Sequence, residues 1–153
     1  MKFGIRAKLF VVSISLIFIS VVSADIYLSR ALNDERTQTV RDELFVRLNL
    51  VSGGVLSRAD SIDDYRAIAR LVDEASLLAQ ARVSLIRNDG RLIGDSDLDE
   101  AETQSAESHG DRPEVIAAKS TGRGESTRYS STIQQRMMYV AAPLILKGQT
   151  VGV

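Results

Sequence analysis

The chain has no cysteine among its 153 residues. This absence excludes disulfides, thiolate metal sites and thiol nucleophiles, so packing alone must stabilise the fold. An excess of charge of one sign is also lacking, because 19 Lys and Arg against 20 Asp and Glu leave a net charge of −1. Without a basic face, the sequence argues against nucleic acid as a partner.

Catalytic frameworks are absent as well. No serine stands in a Gly-x-Ser-x-Gly frame, so Ser96, His109 and Asp111 do not predict a hydrolase triad. No phosphate-cradling glycine motif for ATP is present, and one histidine among scattered carboxylates is a poor metal signature. The acidic stretch 95–102 is typical of a solvated loop. We therefore predict no catalytic residue, no cofactor and no metal site in this chain.

What the sequence does have is a long apolar segment near its N-terminus. Lys2, Arg6 and Lys8 precede the run 9–24, whose only polar members are serines, and apolar residues resume after Asp25. About 20 apolar residues suffice to cross a bilayer, and a basic flank favours the cytoplasmic side. The prediction has three parts: a cytoplasmic N-terminus (1–8), a transmembrane helix (9–28) and an extracytoplasmic domain (29–153).

A cleaved signal peptide is the alternative for this segment. Val22, Ser23 and Ala24 offer small residues before Asp25, where a signal peptidase could cut and release a secreted domain. The apolar run is longer than the roughly 7 to 15 residues usual in signal peptides. This favours retention as an anchor in the inner or plasma membrane.

A second helical pattern follows the apolar segment. Apolar residues recur at spacings of three and four over a charged background: Leu28, Leu32, Val40, Leu44, Leu48, Val51 and Val55. This periodicity predicts a long amphipathic helix continuous with the membrane helix. Such a helix can pack one end on its own domain and the other on a second subunit. Leu44, Leu48 and Val51 are therefore the candidate residues for dimerisation and signalling in a homodimer.

The rest of the chain alternates between helix and strand patterns. A helix is predicted from an N-cap at 61–64 to about Leu78, with Ile68, Leu71, Val72, Ala75 and Leu78 on its buried face. An Asp-Gly turn predicts a hairpin of 82–87 with 91–94. Beyond it we expect an exposed loop (95–111), a short helix (113–119) and three strands (126–133, 137–146 and 150–153). This order predicts an α+β fold: a five-stranded antiparallel sheet covered by helices, as in PAS-like (PDC/Cache-type) sensor domains.

Several motifs resemble the extracytoplasmic sensor region of bacterial membrane histidine kinases, particularly the phosphate-regulon sensor kinases. They are Val83–Ile86 with Asp89–Ser96, His109–Val115, Gly122–Gly124 with Arg128–Ser130, and Met138–Leu144. The Asp-Arg-Pro-Glu helix start with Arg-Tyr-Ser and Tyr-Val-Ala-x-Pro is the more specific part. The resemblance implies parts beyond Val153: a second membrane helix, a HAMP-type linker, a phosphoacceptor hairpin and a kinase domain that uses ATP and Mg and serves a response regulator.

Five polar residues are candidates for sensing a ligand, because PAS-like sheets bind ligands between the sheet and the segments that cross it. They are Asp95, His109, Arg112, Arg128 and Tyr139. Arg112 could hold an anion with both arms of its guanidinium. The alternative is a structural role, in which Asp95 ends a hairpin, Arg112 begins a helix and Tyr139 packs in the core.

The resemblance thus implies the sensor region of a two-component histidine kinase. Because the chain stops within a predicted strand, we expect it to be a fragment of a longer protein. The stimulus is either a small molecule or an accessory protein. Two other functions stay open: the sensor region of a chemoreceptor or cyclic-dinucleotide enzyme, and an anchored or secreted binding domain without a kinase.

Overall fold

The structure is a computed structural model that describes residues 4–54, 56–130 and 134–153. The chain forms two compact units, residues 1–40 and 41–153. Helix α1, Ile5–Gly54, includes both helical segments expected from the sequence. Val55, the last residue of the predicted amphipathic pattern, and residues 131–133, the end of a predicted strand, lie outside the described residues.

The first unit consists of the N-terminal part of α1. Its apolar side chains are exposed along the whole run, from Leu9 to Leu28. Within the described residues, α1 is the one helix that is long and apolar enough to span a membrane, with a mean hydropathy of 2.4 in its most apolar window. Length and composition are the basis of this statement, and a signal sequence passes the same test.

In the described part of the second unit, the end of α1 is followed by three more helices and six short strands. A 3-10 turn at Leu56–Arg58 follows α1. The other helices are α2 (Tyr65–Ala79), α3 (Glu100–Ser105) and α4 (Pro113–Thr121). The strands are β1 (Ser84–Ile86), β2 (Leu92–Asp95), β3 (Gly124–Ser130), β4 (Gln135–Ala141), β5 (Leu144–Leu146) and β6 (Gln149–Gly152).

Helix α2 has the N-cap that its sequence predicts and most of the predicted buried face, although Leu71 is only partly buried. The Asp64 side chain accepts a hydrogen bond from the N–H of Ala67 (3.1 Å) and so caps the helix. Ile68, Val72 and Ala75 are fully buried, whereas Leu78, predicted to be buried, is 64% exposed. The chain leaves the helix at Gln80, and Ala79 takes the last buried position instead.

The strands form three two-stranded antiparallel ladders, β1–β2, β3–β4 and β5–β6, rather than the five-stranded sheet expected. The predicted strand 137–146 is divided at Ala142 and Pro143 into β4 and β5. Proline lacks a backbone N–H and cannot continue a ladder, which accounts for the division. The first and last ladders meet where Ile86 and Val153 exchange backbone hydrogen bonds of 2.8 and 2.7 Å.

The main core lies between α2, the end of α1 and the hairpins. Its buried residues include Val51, Ile68, Val72, Leu85, Leu144 and Leu146. A Cβ at Gly94 would lie 2.9 Å from Cγ2 of Ile68, so β2 passes α2 at a distance that only glycine permits. A smaller core under α4 contains Ile86, Leu92, Val115, Ala118, Ala141 and Val153.

The three dimer and signalling candidates on α1 differ in exposure. Leu44 and Leu48 are half-buried, whereas Val51 is 3% exposed and belongs to the main core of its own chain. Val46 and Leu50, one turn apart on α1, are 59% and 68% exposed. The exposed apolar residues on this part of α1 therefore include two, Val46 and Leu50, that the candidate list did not contain.

Candidate functional site

Asp95, the last residue of β2, is fully engaged by its neighbours. Its side chain is 0% exposed. Arg82 donates to both carboxylate oxygens, from Nε to Oδ1 (2.9 Å) and from Nη2 to Oδ2 (3.0 Å). Ser84 Oγ donates to Oδ2 (2.6 Å) and the N–H of Asp97 donates to Oδ1 (2.9 Å). A carboxylate with four such donors has little capacity left for a ligand.

Arg82 was not among the candidates, although the hairpin register contains a signal for it. Ser84 faces Asp95 in the β1–β2 ladder, so Arg82 and Asp97 flank the same end of the hairpin. Burial disfavours the charge of Arg82, but the hydrogen bond and charge of Asp95, together with Asp97, outweigh burial and raise the pKa of the guanidinium. The ion pair of Arg82 and Asp95 therefore stabilises the end of the hairpin.

His109 lies in the loop before α4, close to the hairpin turn. It is 9% exposed, and its backbone N–H donates a hydrogen bond to the carbonyl of Gly90 (2.8 Å). Nη2 of Arg112 lies 2.6 Å from Nε2 of His109. Because a guanidinium can only donate, this contact requires an unprotonated Nε2. Burial, followed by the charge of Arg112, lowers the pKa of His109, so the neutral ring is the favoured form.

Glu114, in the first turn of α4, is the second buried acid of the site. It is 4% exposed and accepts hydrogen bonds from Ser126 Oγ and from Nη2 of Arg128, the latter at 3.4 Å. The guanidinium of Arg128 stacks 3.8 Å from the ring centroid of Tyr139. Neither Glu114 nor Ser126 was predicted, because their meeting depends on the packing of α4 against β3.

The β3–β4 register explains why these side chains meet. Ser126 faces Tyr139 and Arg128 faces Met137, so all four side chains lie on one face of the ladder. Helix α4 approaches this face so closely that a Cβ at Gly124 would lie 1.8 Å from the carbonyl oxygen of Glu114. Gly124 is therefore the residue that permits the contact between α4 and β3.

All five candidate residues share one electrostatic neighbourhood. His109 is close enough to Asp95 and Arg112 for their charges to shift its pKa. Burial lowers the pKa of Arg112, and the charge of Arg128 lowers it further, while Glu114, Tyr139 and Arg82 also act on it. The structure thus brings the candidates together, and their role in sensing stays a prediction.

The three arginines of this neighbourhood are not equally paired. Arg82 is paired with Asp95, and Arg128 with Glu114. Among the described residues, no carboxylate lies within 4 Å of the Arg112 guanidinium, whose side-chain partner is the neutral ring of His109. Arg112 therefore carries a half-buried positive charge without a direct counter-charge.

Strand β3 also contacts α1 within the second unit. The guanidinium of Arg123 lies 3.7 Å from the ring centroid of Phe45, and Nε of Arg41 lies 3.4 Å from Oε2 of Glu125. An open cavity of about 260 Å³ is lined by Arg41, Asp42, Phe45, Arg123, Gly124 and Glu125. The same strand thus contacts the polar cluster through Ser126 and Arg128 and the helix through Glu125.

Known proteins provide few counterparts. No family model matches the chain, and no curated protein matches it. Among solved structures, the chain is similar to the sensor domain of the V. cholerae histidine kinase DctB, with a TM-score of 0.48 and 19% sequence identity. The likeness covers 81% of this chain and 54% of that domain, so the chain spans about half the length of the structure it matches.

Proposed function

We propose that the chain is the extracytoplasmic sensing and transmembrane signalling region of a membrane-anchored, two-component sensor histidine kinase. The observation that carries this proposal is the position of β3 between the polar cluster and α1. Ser126 and Arg128 of β3 contact the cluster, while Glu125 of β3 contacts Arg41 of α1 and Arg123, the residue before the strand, contacts Phe45 of α1. Helix α1 also contains the apolar segment suited to a membrane.

The proposed mechanism is a shift between two packings of α1. A stimulus at the cluster, whether a small molecule or an accessory protein, changes the equilibrium only by its differential affinity for the two states. A displacement of β3 moves Arg123 and Glu125 and with them the helix that they contact. Small shifts of a packed helix are a common means of switching, and the helix carries the shift to the membrane.

Homodimerisation through α1 belongs to the same proposal. Val46 and Leu50 form an exposed apolar pair at the spacing of one helical turn. Residues 1–153 contain no cysteine, so when this chain is expressed by itself a disulfide in Leu50→Cys must join the introduced residues of two copies. We expect a linked dimer after mild oxidation of native membranes, and a monomer for Arg70→Cys, a control on the exposed surface of α2.

The output part of the proposal concerns the protein expressed from its complete coding sequence. A kinase domain beyond Val153 would bind ATP and Mg, phosphorylate its own histidine and pass the phosphoryl group to a response regulator. The finer assignment to the phosphate-regulon group depends on the sequence motifs described above alone. We propose a position in the inner or plasma membrane with residues 29–153 outside the cytoplasm.

The decisive experiment measures autophosphorylation of this complete protein in membrane vesicles. Glu125→Arg should change the rate because it reverses the charge that meets Arg41, and adding Arg41→Glu should restore the wild-type rate by exchanging the two charges. The control is Arg70→Glu, which we expect to be silent. Vesicles that incorporate no label from ATP would exclude the kinase and favour a chemoreceptor, a cyclic-dinucleotide enzyme or an anchored binding domain.

A further inference from the structure

We propose that Arg112, together with His109, binds a small oxyanion, either a carboxylate or a phosphate. This inference deepens the proposed sensing function by naming the chemical class of the ligand. It rests on the difference in pairing among the three arginines of the cluster. Two of them already have buried carboxylate partners, and the third has a neutral imidazole in that position.

The charge balance around Arg112 favours an anion as the missing partner. The side chain is half-buried, and the charges of Arg128 and Arg82 oppose its own, while the charge of Glu114 offsets them only in part, because the pKa of Arg112 is lowered overall. A partly desolvated cation without a direct counter-ion is costly to maintain. An oxyanion at this position would compensate the charge of Arg112, whereas the charges of Arg82 and Arg128 are already paired with Asp95 and Glu114.

The hydrogen-bonding capacity of Arg112 is also suited to an oxyanion. A guanidinium has five N–H donors arranged as a planar fork, which matches the two oxygens of a carboxylate or phosphate. Among the described residues, the one side-chain partner of this group is Nε2 of His109, at 2.6 Å from Nη2. Most of the fork is therefore available.

His109 makes the site responsive to protonation. The guanidinium of Arg112 contacts its ring at Nε2 and disfavours the imidazolium, whereas the backbone at Ser108 and Glu107 and the charge of Asp95 favour it. An anion beside Arg112 would offset the repulsion that this guanidinium exerts on an imidazolium. Binding should therefore raise the pKa of His109, and by linkage the anion should bind more tightly as the pH falls.

The chain allows a direct test because His109 is its single histidine. The full chain, prepared without a histidine tag in detergent micelles, is titrated with inorganic phosphate or with acetate, while the His109 ring resonances are followed by NMR. Chloride at the same ionic strength is the reference. We expect a saturable shift of the ring signals and a raised His109 pKa with at least one of the two oxyanions.

Matched variants identify the binding group. Arg112→Gln should weaken the anion about tenfold or more, the loss expected for a charge-assisted hydrogen bond. Arg112→Lys, which keeps the charge without the fork, should bind with intermediate affinity, and Arg70→Gln should bind as the wild type does. If Arg112→Gln unfolds in a thermal melt, Arg112→Lys provides the test, because loss of the fork alone must still weaken binding.

The titration distinguishes phosphate from carboxylate as the ligand. It also tests anion binding separately from the proposed signalling function. Saturation by phosphate alone or acetate alone supports the inference and names the ligand type. No saturable shift beyond that of chloride with either oxyanion, or equal saturation in Arg112→Gln, overturns it. Autophosphorylation that responds to Glu125→Arg without anion binding would leave the proposed function standing, whereas anion binding in vesicles without kinase activity would overturn the function alone.

Discussion

Arg82 and Arg112 lie in the same cluster, yet their surroundings differ. Arg82 donates to the Asp95 carboxylate, which is 0% exposed and accepts hydrogen bonds from two further donors. Arg112 instead donates to a neutral histidine. The first arrangement pairs two opposite charges directly at the end of a hairpin. In the second arrangement the positive charge of Arg112 has no direct counter-charge, as expected of a residue that binds a charged ligand. Pairing therefore separates a structural arginine from a candidate binding arginine.

The largest effect is expected from Asp95→Ala. This change leaves Arg82 and Ser84 without their acceptor, and we expect a loss of about 2 to 3 kcal/mol in the free energy of unfolding, because part of the Arg82 side chain can still reach water. Thermal melts followed by circular dichroism would measure it. Asp97→Ala, at an exposed acid near the same arginine, is the control. Equal losses of unfolding free energy in the two variants would contradict the structural role of the Arg82–Asp95 pair.

Glu114→Ala should have the next largest effect. It removes the acceptor of Ser126 and Arg128 from a position that is 4% exposed, and we expect a loss of about 1 to 2 kcal/mol in the free energy of unfolding. The same melts would measure it, with Glu102→Ala as a control in the capping box of α3. If Glu114→Ala lost less unfolding free energy than Glu102→Ala, the pairing of Glu114 with Arg128 would not contribute to stability as proposed.

The pH dependence of stability tests the Arg112 side of the comparison. The pKa of His109 is lowered in the fold, so below the unfolded value of about 6.5 the unfolded chain binds more protons. This contribution to stability is complete above pH 6.5 and is lost as the pH falls towards the lowered pKa. In thermal melts between pH 5 and 7.5, the wild type should lose stability relative to His109→Gln as the pH falls. Parallel curves would show that His109 is not held neutral.

The smallest effect is expected from Arg112→Gln in the absence of added oxyanion. The variant removes a repelled charge and one hydrogen bond, so the free energy of unfolding should stay within about 0.5 kcal/mol of the wild type, or rise. Arg82→Gln is the matched variant, and it should be clearly less stable because it leaves Asp95 unpaired. If Arg112→Gln costs as much as Arg82→Gln, the two arginines are equally structural and the distinction between them fails.

Local pattern was enough to predict several parts of the second unit. The cap at Asp64, the spacing from Ile68 to Ala75 and the Asp-Gly turn are short-range signals that depend on a few neighbouring residues, and the helix α2 and the β1–β2 hairpin follow them. The presence of one long apolar helix near the N-terminus is of the same kind. These elements form as predicted because their decisive interactions lie within one turn of helix or one hairpin.

The candidate site was only partly accessible to such reasoning. The charged and aromatic residues that the motifs indicated do come together, but Arg82, Glu114 and Ser126 complete the cluster and were not expected. Of these, Arg82 alone has a local signal, because the hairpin register places it beside Asp97 and Asp95. Glu114 meets Ser126 only because α4 packs on β3 at Gly124, a contact between segments with no common repeat.

The amino-acid sequence by itself determined the apolar helix, the capped helix α2, the hairpin turns and the residue types available for a site, since each depends on short-range sterics, capping and periodicity. Pro143 divides one predicted strand, but tertiary packing decided that the ladders do not join into one sheet, that Val51 lies in the core of its own chain, and which arginine of the cluster has no carboxylate partner among the described residues. The physical reason is that burial and charge compensation are properties of residues distant in the chain, and they exist only after the elements have packed.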